Sequence, residues 1–350
     1  MQYVTSPGEL IRRLQALTSI DTESLYGIDG DNTALTSASW YWPGKKQAHE
    51  EYWGSVVRDF LMGYENRDIA LEALWIKTNI HEHLEGSRDG DIIKRPRAMP
   101  RHVIPWLYSR VTGSDARNRS YYGYRMNRRD TCWINDGKTK RGSFFDFVDD
   151  IPRMFFHAME PYLEGADLFV DLGSGWGRYS TALFLKHKHI RVLAGELSDA
   201  GRAATAIIAD KYGLAIETLP FNYYAYENLI GRLGGERLNK IIVFTSHSIE
   251  QVTYLYKRMF DEILALPIPN IVFVHIEPLG WQIMGAENSP HLSRPPPRTA
   301  DGHGGYNKNL YLIVMKLLEE EKIGMDRITP YYFGNLAPKK TGSLLVYHKR

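Results

Sequence analysis

From about residue 146 onward, apolar and polar positions follow a repeating rhythm. The segment Phe144 to Leu163 (FFDFVDDIPRMFFHAMEPYL) keeps an apolar stripe at helical spacing, with Pro152 kinking it or starting its second part. An apolar run beginning at Leu168 follows and ends at Asp171, and helix-compatible residues resume at Arg178 and Tyr179. The rhythm then predicts a strand over Ile190 to Glu196, a helix over Asp199 to Tyr212, a strand over Leu214 to Leu219 and a short helix over Tyr226 to Leu233. It continues with a strand over Lys240 to Thr245, a helix over Ile249 to Leu266 and a strand over Asn270 to Ile276. Strands alternating with helices imply a parallel sheet covered on both faces. The stretch Gly285 to Gly305 breaks the pattern with Pro295, Pro296 and Pro297, and reads as a lid or substrate loop. A last helix, Asn307 to Ile323, precedes strands at about Asp326 to Phe333 and Ser343 to Lys349. The short loop between them makes a hairpin, so one strand runs against the rest.

The first part of the chain has another pattern. Leu10, Leu14 and Leu17 share one helical face, as do Trp53, Val56, Val57, Phe60 and Leu61, and again Ile69, Leu71, Leu74, Trp75 and Ile80. Residues 1–145 are therefore expected to form a mainly helical unit that caps the pocket and offers a dimer interface, and residues 146–350 an α/β domain.

Composition narrows the function classes. In 350 residues, 43% are hydrophobic and 24% charged, which is ordinary for a globular chain with a large core. A net charge of +2 with both signs interspersed leaves no overall footprint for nucleic acid. The one local exception runs from Arg110 to Arg141, where Tyr121, Tyr122 and Tyr124 adjoin Arg125, Arg128 and Arg129. Interleaved aromatics and arginines suit single strands, but near neutrality favours a solvated loop packed on the second domain. Cys132 is the single cysteine, so no disulfide can form within the chain; it reads as a packed residue in a reducing compartment. Charges interrupt every apolar run, so no membrane span is expected, and the N-terminal segment carries Glu9, Arg12 and Arg13 where a secretory signal would be apolar. A cytosolic location is the expectation. No histidine, cysteine or acidic cluster has metal-ligand spacing; the His81 to His83 run sits on a helix whose adjacent residues diverge.

Chemistry concentrates at LFVDLGSGWGRYS, Leu168 to Ser180. Gly173, Gly175 and Gly177 permit positive φ angles and close approach of backbone to a ligand, and Asp171 at the strand end suits an amine. This D-L-G-S-G-W-G run, the acidic Glu196 closing the next strand and the terminal hairpin resemble the class I S-adenosylmethionine-dependent methyltransferases, over roughly residues 150 to 350. Nicotinamide-binding folds also carry glycine-rich first turns. The aspartate directly before the glycines, the G-x-G-x-G spacing and the seven-strand order distinguish the methyltransferase pattern from theirs. The resemblance implies a seven-stranded, doubly wound, mostly parallel sheet with a C-terminal antiparallel hairpin. It also implies S-adenosylmethionine as cofactor. Gly173, Ser174, Gly175 and Gly177 would line its methionine part, Asp171 its amino group, Glu196 its ribose hydroxyls, and Phe221 and Asn222 its adenine. Arg153 is either a carboxylate ligand or a surface ion pair.

Methyl transfer is an in-line displacement in which the acceptor is aligned and loses a proton. In an open α/β sheet this takes place beyond the carboxyl ends of the strands, here at Ser246 to Gln251 and His275 to Trp281. Glu250 and Glu277 would orient the acceptor, His247 or His275 would handle the proton, and Trp281 would form an apolar or cation-binding wall. The structural alternative makes Glu250 part of a helix cap and His275 a satisfied strand-end residue. Asn307 and Asn309 either reach the same cleft or cap the last helix. Two glutamates favour an amine or guanidine of a small metabolite as acceptor, with a sugar or other small-molecule hydroxyl as the alternative. An RNA or protein methyltransferase and a non-catalytic module are the readings of a different class.

Overall fold

A computed structural model of the chain describes residues 131–142, 144–252, 254–284, 307–335 and 341–350. The helical patterns up to Ile80, the tyrosine- and arginine-rich stretch up to residue 130 and the 285–305 loop lie outside the described residues.

Among the described residues the sheet has nine strands. They are β1 (Thr131–Asn135), β2 (Lys138–Gly142), β3 (Leu168–Leu172), β4 (Arg191–Glu196), β5 (Ile216–Pro220), β6 (Lys240–Ser246), β7 (Asn270–Glu277), β8 (Ile323–Asn335) and β9 (Gly342–Lys349). Their spatial order is β2-β1-β8-β9-β7-β6-β3-β4-β5. The β7-β6-β3-β4-β5 pairs are parallel, and β9 runs antiparallel between β7 and β8. Order reverses between β3 and β6, and the carboxyl ends of those two strands diverge into the crevice where ligands of open α/β sheets bind.

The expected seven strands are corrected to nine. Residues 131–142, read as part of the helical unit, form a hairpin that joins the sheet through β1 and β8. The local cause is the Asp136-Gly137 pair, which takes positive φ at both positions (50° and 73°) and matches strand twist as a two-residue turn. Asp150 then pins the hairpin down: its Oδ2 accepts from the Trp133 indole N–H at 2.9 Å, the Asn135 amide at 2.6 Å and Lys140 Nζ at 3.0 Å.

Helices cover both faces. On one lie α1 (Phe144–Leu163), α2 (Arg178–Lys186) and α3 (Asp199–Tyr212), packed with Phe155, Met159, Leu183 and Ile208 onto Phe169, Ile242, Phe244, Val272 and Val274. On the other lie α4 (Glu227–Gly234), α5 (Lys257–Ala265), α6 (Gly280–Met284) and α7 (Leu310–Glu319), facing Val170, Val243, Ile271 and Phe273. Because strand side chains alternate, Asp171 and Ser246 lean toward the first face, and Thr245, His275 and Glu277 toward the second.

Two predicted helices are shorter than their apolar pattern. The stretch predicted as one helix from Ile249 to Leu266 splits into a single 3₁₀ turn, Ile249–Gln251, and α5. Between them the backbone is held by α7: the Leu255 N–H donates to Asn309 Oδ1 at 2.8 Å, and Asn309 Nδ2 donates to the Leu255 carbonyl at 2.9 Å. The last helix starts at Leu310, not Asn307, because Asn307 Oδ1 already accepts the N–H groups of Asn309 and Leu310, at 3.0 and 2.7 Å.

Candidate active site

The glycine turn between β3 and α2 is built as its sequence implies. Gly173, Gly175 and Gly177 have φ of 75°, 59° and 79°. A Cβ at Gly173 would stand 2.3 Å from the Ser248 Cβ, so only glycine lets this turn lie against the chain leaving β6. The contact is sealed by hydroxyls: Ser248 Oγ donates to the Leu172 carbonyl at 2.8 Å and lies 2.7 Å from the Tyr223 hydroxyl.

Two buried acids flank the turn. Asp171 accepts a hydrogen bond from Ser180 Oγ at 2.8 Å, and burial, partly offset by that bond and by Arg178, pushes its carboxyl up to about 7. Glu196, at the end of β4, accepts from the Gly175 N–H at 2.9 Å and from both the N–H and the hydroxyl of Ser198, at 2.9 and 2.8 Å. Burial raises its pKa as well. One carboxylate thus ties the glycine turn to the next strand, and its Oε2, with a single protein donor, keeps a lone pair for a further one. The Ser174 hydroxyl is buried with no partner among the described residues. An unmatched hydroxyl, a raised aspartate and an acceptor-rich glutamate around a glycine turn fit a ligand with an amino-acid end and a diol, as S-adenosylmethionine has. Phe221 is buried behind Gly195 and meets Tyr223 edge-on, ring centroids 4.8 Å apart. Asn222 serves its own loop, its Oδ1 accepting the Tyr224 N–H at 2.8 Å.

Beyond β6 and β7 the expected residues separate into different roles. His247 takes a left-handed φ of 52° and is partly exposed; its Nδ1 lies 3.0 Å from Glu250 Oε2. Glu250 also accepts from the Gln251 amide at 2.9 Å. Glu277 is fully buried and receives three backbone N–H groups, so it does not face the cleft as the paired-carboxylate expectation requires. Burial pushes its carboxyl up to about 7. His275 is enclosed in the sheet between the Thr245 hydroxyl at 2.8 Å and the Tyr347 hydroxyl at 3.0 Å, and burial pushes it down to about 3. A neutral histidine with both nitrogens engaged inside the core is not a base for an external acceptor. Trp281 is buried in the core of the α4–α7 face. Asn307 is buried too: its Nδ2 donates to the Val252 carbonyl at 2.8 Å, and its carbonyl accepts from Gln282 at 2.7 Å.

Arg153 is exposed and lies 3.6 Å from Asp150, the surface pair of its two expectations. Sequence reasoning missed Tyr179, whose hydroxyl accepts from Arg178 at 2.9 Å and from Ser246 at 3.3 Å and so ties the start of α2 to the open end of β6. Its place directly after the glycine turn was the available signal. Among the described residues no group of three or more histidines, cysteines or acids is arranged to hold a metal ion, and no described helix is long and apolar enough to cross a membrane.

No protein-family model matches the sequence, and no curated protein matches it significantly. Solved structures that overlap part of it include an O-methyltransferase from Bacillus cereus in complex with SAH, at 11% identity and a TM-score of 0.38, covering 57% of this chain and 81% of that one. A magnesium protoporphyrin IX methyltransferase from Synechocystis PCC 6803 with bound SAM overlaps at 13% identity and a TM-score of 0.34, over 66% of this chain and 93% of that one. An O-methyltransferase family protein from Burkholderia thailandensis gives 12% identity and a TM-score of 0.37; 58% of this chain is covered and 57% of that one. At such identity and overlap these neighbours decide nothing about the chemistry, which rests on this chain's own residues.

Proposed function

We propose that this chain is an S-adenosylmethionine-dependent methyltransferase that acts on a hydroxyl group of a small molecule, with His247 as general base. The observation that carries the choice of acceptor is the pairing of His247 with Glu250. If Nδ1 carries the proton it donates to the carboxylate, which leaves Nε2 as the basic nitrogen. An acid that orients a histidine and stabilises its charged form is the arrangement suited to a hydroxyl, which must lose a proton to become a good nucleophile. An amine or guanidine acceptor would be better served by two carboxylates in the cleft. Glu277 is occupied by the backbone and Glu250 by His247, so that pair is not available.

The cofactor supplies an electrophilic methyl group on a sulfonium. The chain's own residues do the rest. Asp171 holds the cofactor's amino group, Glu196 its ribose hydroxyls, and Gly173, Ser174, Gly175 and Gly177 accommodate the methionine part. Phe221 backs the adenine side. His247 Nε2 removes the hydroxyl proton, and Glu250 keeps the ring in one orientation.

Two measurements test this. Titration calorimetry with S-adenosylmethionine should give saturable binding to the wild-type protein; tight NAD binding with no heat from S-adenosylmethionine would remove the family reading. A labelled-methyl assay against glycosides, polyols, amino acids and guanidines should label hydroxyl compounds, and His247→Gln should lower turnover about 10²- to 10⁴-fold with cofactor affinity unchanged. Label confined to amines or guanidines would restore the N-methylation reading.

A further inference from the structure

Glu277 is the buried acid that methyl transfer leaves without a direct task, and its contacts are specific. It ends β7, and its carboxylate reaches across to the chain leaving β6. The N–H groups of Ser248 and Ile249 donate to Oε1, both at 3.2 Å, and the N–H of Glu250 donates to Oε2 at 3.1 Å. Three consecutive amides converging on an oxyanion form an anion nest, here filled by the protein's own side chain. Directly before the nest stands His247, in a left-handed conformation that is strained for a residue with a side chain, its N–H held by the Ile276 carbonyl at 3.2 Å.

The carboxylate is braced from behind as well. The Thr245 hydroxyl favours the charged form of the Glu277 carboxyl, against the burial that raises it, and lies 2.8 Å from His275 Nδ1. A hydroxyl has one proton, so when Thr245 donates to the carboxylate it must accept from Nδ1–H. His275 Nε2 then accepts from the Tyr347 hydroxyl at 3.0 Å. With that donation the chain runs from Tyr347 through His275 and Thr245 to Glu277.

We propose that Glu277 is a positioning residue for the His247–Glu250 pair. It gathers the backbone of residues 248–250 into the single turn that sets the histidine against its carboxylate at the open end of the sheet, and the Tyr347–His275–Thr245 chain keeps Glu277 in register. The proposal rests on the reading of His247 as the base. It differs from a direct acceptor contact in one respect: Glu277 acts only through His247.

The experiment uses the full chain. Glu277→Gln sets an amide NH₂ against backbone N–H donors, so the turn loses at least one acceptor. In ¹⁵N-labelled protein without cofactor, the wild-type His247 ring should show one tautomer, protonated on Nδ1. Glu277→Gln should shift it to a mixture while the Glu196 and Asp171 region keeps its chemical shifts. Turnover of a labelled hydroxyl acceptor should fall about 10- to 100-fold with cofactor affinity within about twofold of wild type. In the His247→Gln background the same change should cost less than about twofold. A single unchanged tautomer in folded Glu277→Gln, or a loss that multiplies with that of His247→Gln, overturns the assignment. If Glu277→Gln does not fold, Glu277→Asp, which keeps the charge but withdraws it by one methylene, is read by the same tautomer criterion. The ring measurement needs no cofactor. A protein that shows the tautomer shift yet gives no heat with S-adenosylmethionine keeps the positioning role and loses the methyl-transfer reading.

Discussion

The open ends of β3 and β4 and the open ends of β6 and β7 lie side by side, and they are assembled in different ways. At β3 and β4 two of the deciding contacts are short in sequence, Ser180 to Asp171 and Ser198 to Glu196, while Gly175 reaches Glu196 across 21 residues. At β6 and β7 only the His247–Glu250 pair is local. Glu277 finds its partners 27 to 29 residues upstream, and His275 finds Thr245 and Tyr347 from two neighbouring strands. A local constellation takes its hydrogen-bond partners from the turn and helix that follow its own strand. A dispersed one is assigned by packing, and two acids that look equivalent in sequence take different partners, a histidine for Glu250 and three backbone amides for Glu277.

Three measurements sharpen or break this contrast, beginning with the strongest expected effect. Glu196→Ala should weaken S-adenosylmethionine binding about 100-fold by calorimetry, since it removes charge-assisted acceptors worth roughly 3 kcal/mol together. Binding within threefold of wild type would show that the local constellation does not hold the diol.

A smaller, pH-dependent effect belongs to Asp171. Its carboxyl sits at about 7, raised first by burial, with Ser180 and Arg178 pulling it down and Glu196 pushing it up. Holding an amine needs the ionised form, so below pH 7 affinity should fall about tenfold per unit, and Asp171→Asn should be both weak and flat with pH. The sign for the unliganded protein is opposite. A folded value above the unfolded one means that the folded state retains a proton, so this contribution to stability is full below about pH 4 and is lost as pH rises through 7. Thermal unfolding between pH 5 and 8 should show that slope in wild type and a shallower one in Asp171→Asn.

A third effect, on stability, joins the two regions. Gly173→Ala puts a Cβ on Ser248 at a φ of 75° and should cost about 1–3 kcal/mol. Measured against Ser248→Gly alone, which loses the bonds to Leu172 and Tyr223, adding Gly173→Ala should cost only the backbone part. A Gly173→Ala protein with unchanged melting temperature would mean that the turn and the β6 exit are not packed as described.

Much of the fold was legible because alternation and amphipathicity are local properties. The β3 to β7 strands, α1 to α4 and the closing hairpin stand within a few residues of where the apolar pattern puts them. The β1–β2 hairpin escaped notice although Asp136-Gly137 is a hairpin signal, because five-residue strands with an exposed second strand have no apolar alternation. The helix expected through Val252 failed for the opposite reason. Its apolar spacing is good, but Asn307 and Asn309 claim the Val252 carbonyl and the Leu255 N–H and carbonyl that a helix would use.

The sequence by itself determined the strand–glycine turn–helix unit, the acid at the end of the next strand and the antiparallel last strand, since each follows from residue type at fixed local spacing. Tertiary structure alone decided what the strand-end residues of β6 and β7 do. Burial removed His275 from acid–base chemistry, three amides turned Glu277 inward, and a left-handed turn left His247 with Glu250 as the pair at the opening. Those outcomes depend on which strands lie next to each other, and adjacency across a sheet is not written in the spacing of any one strand.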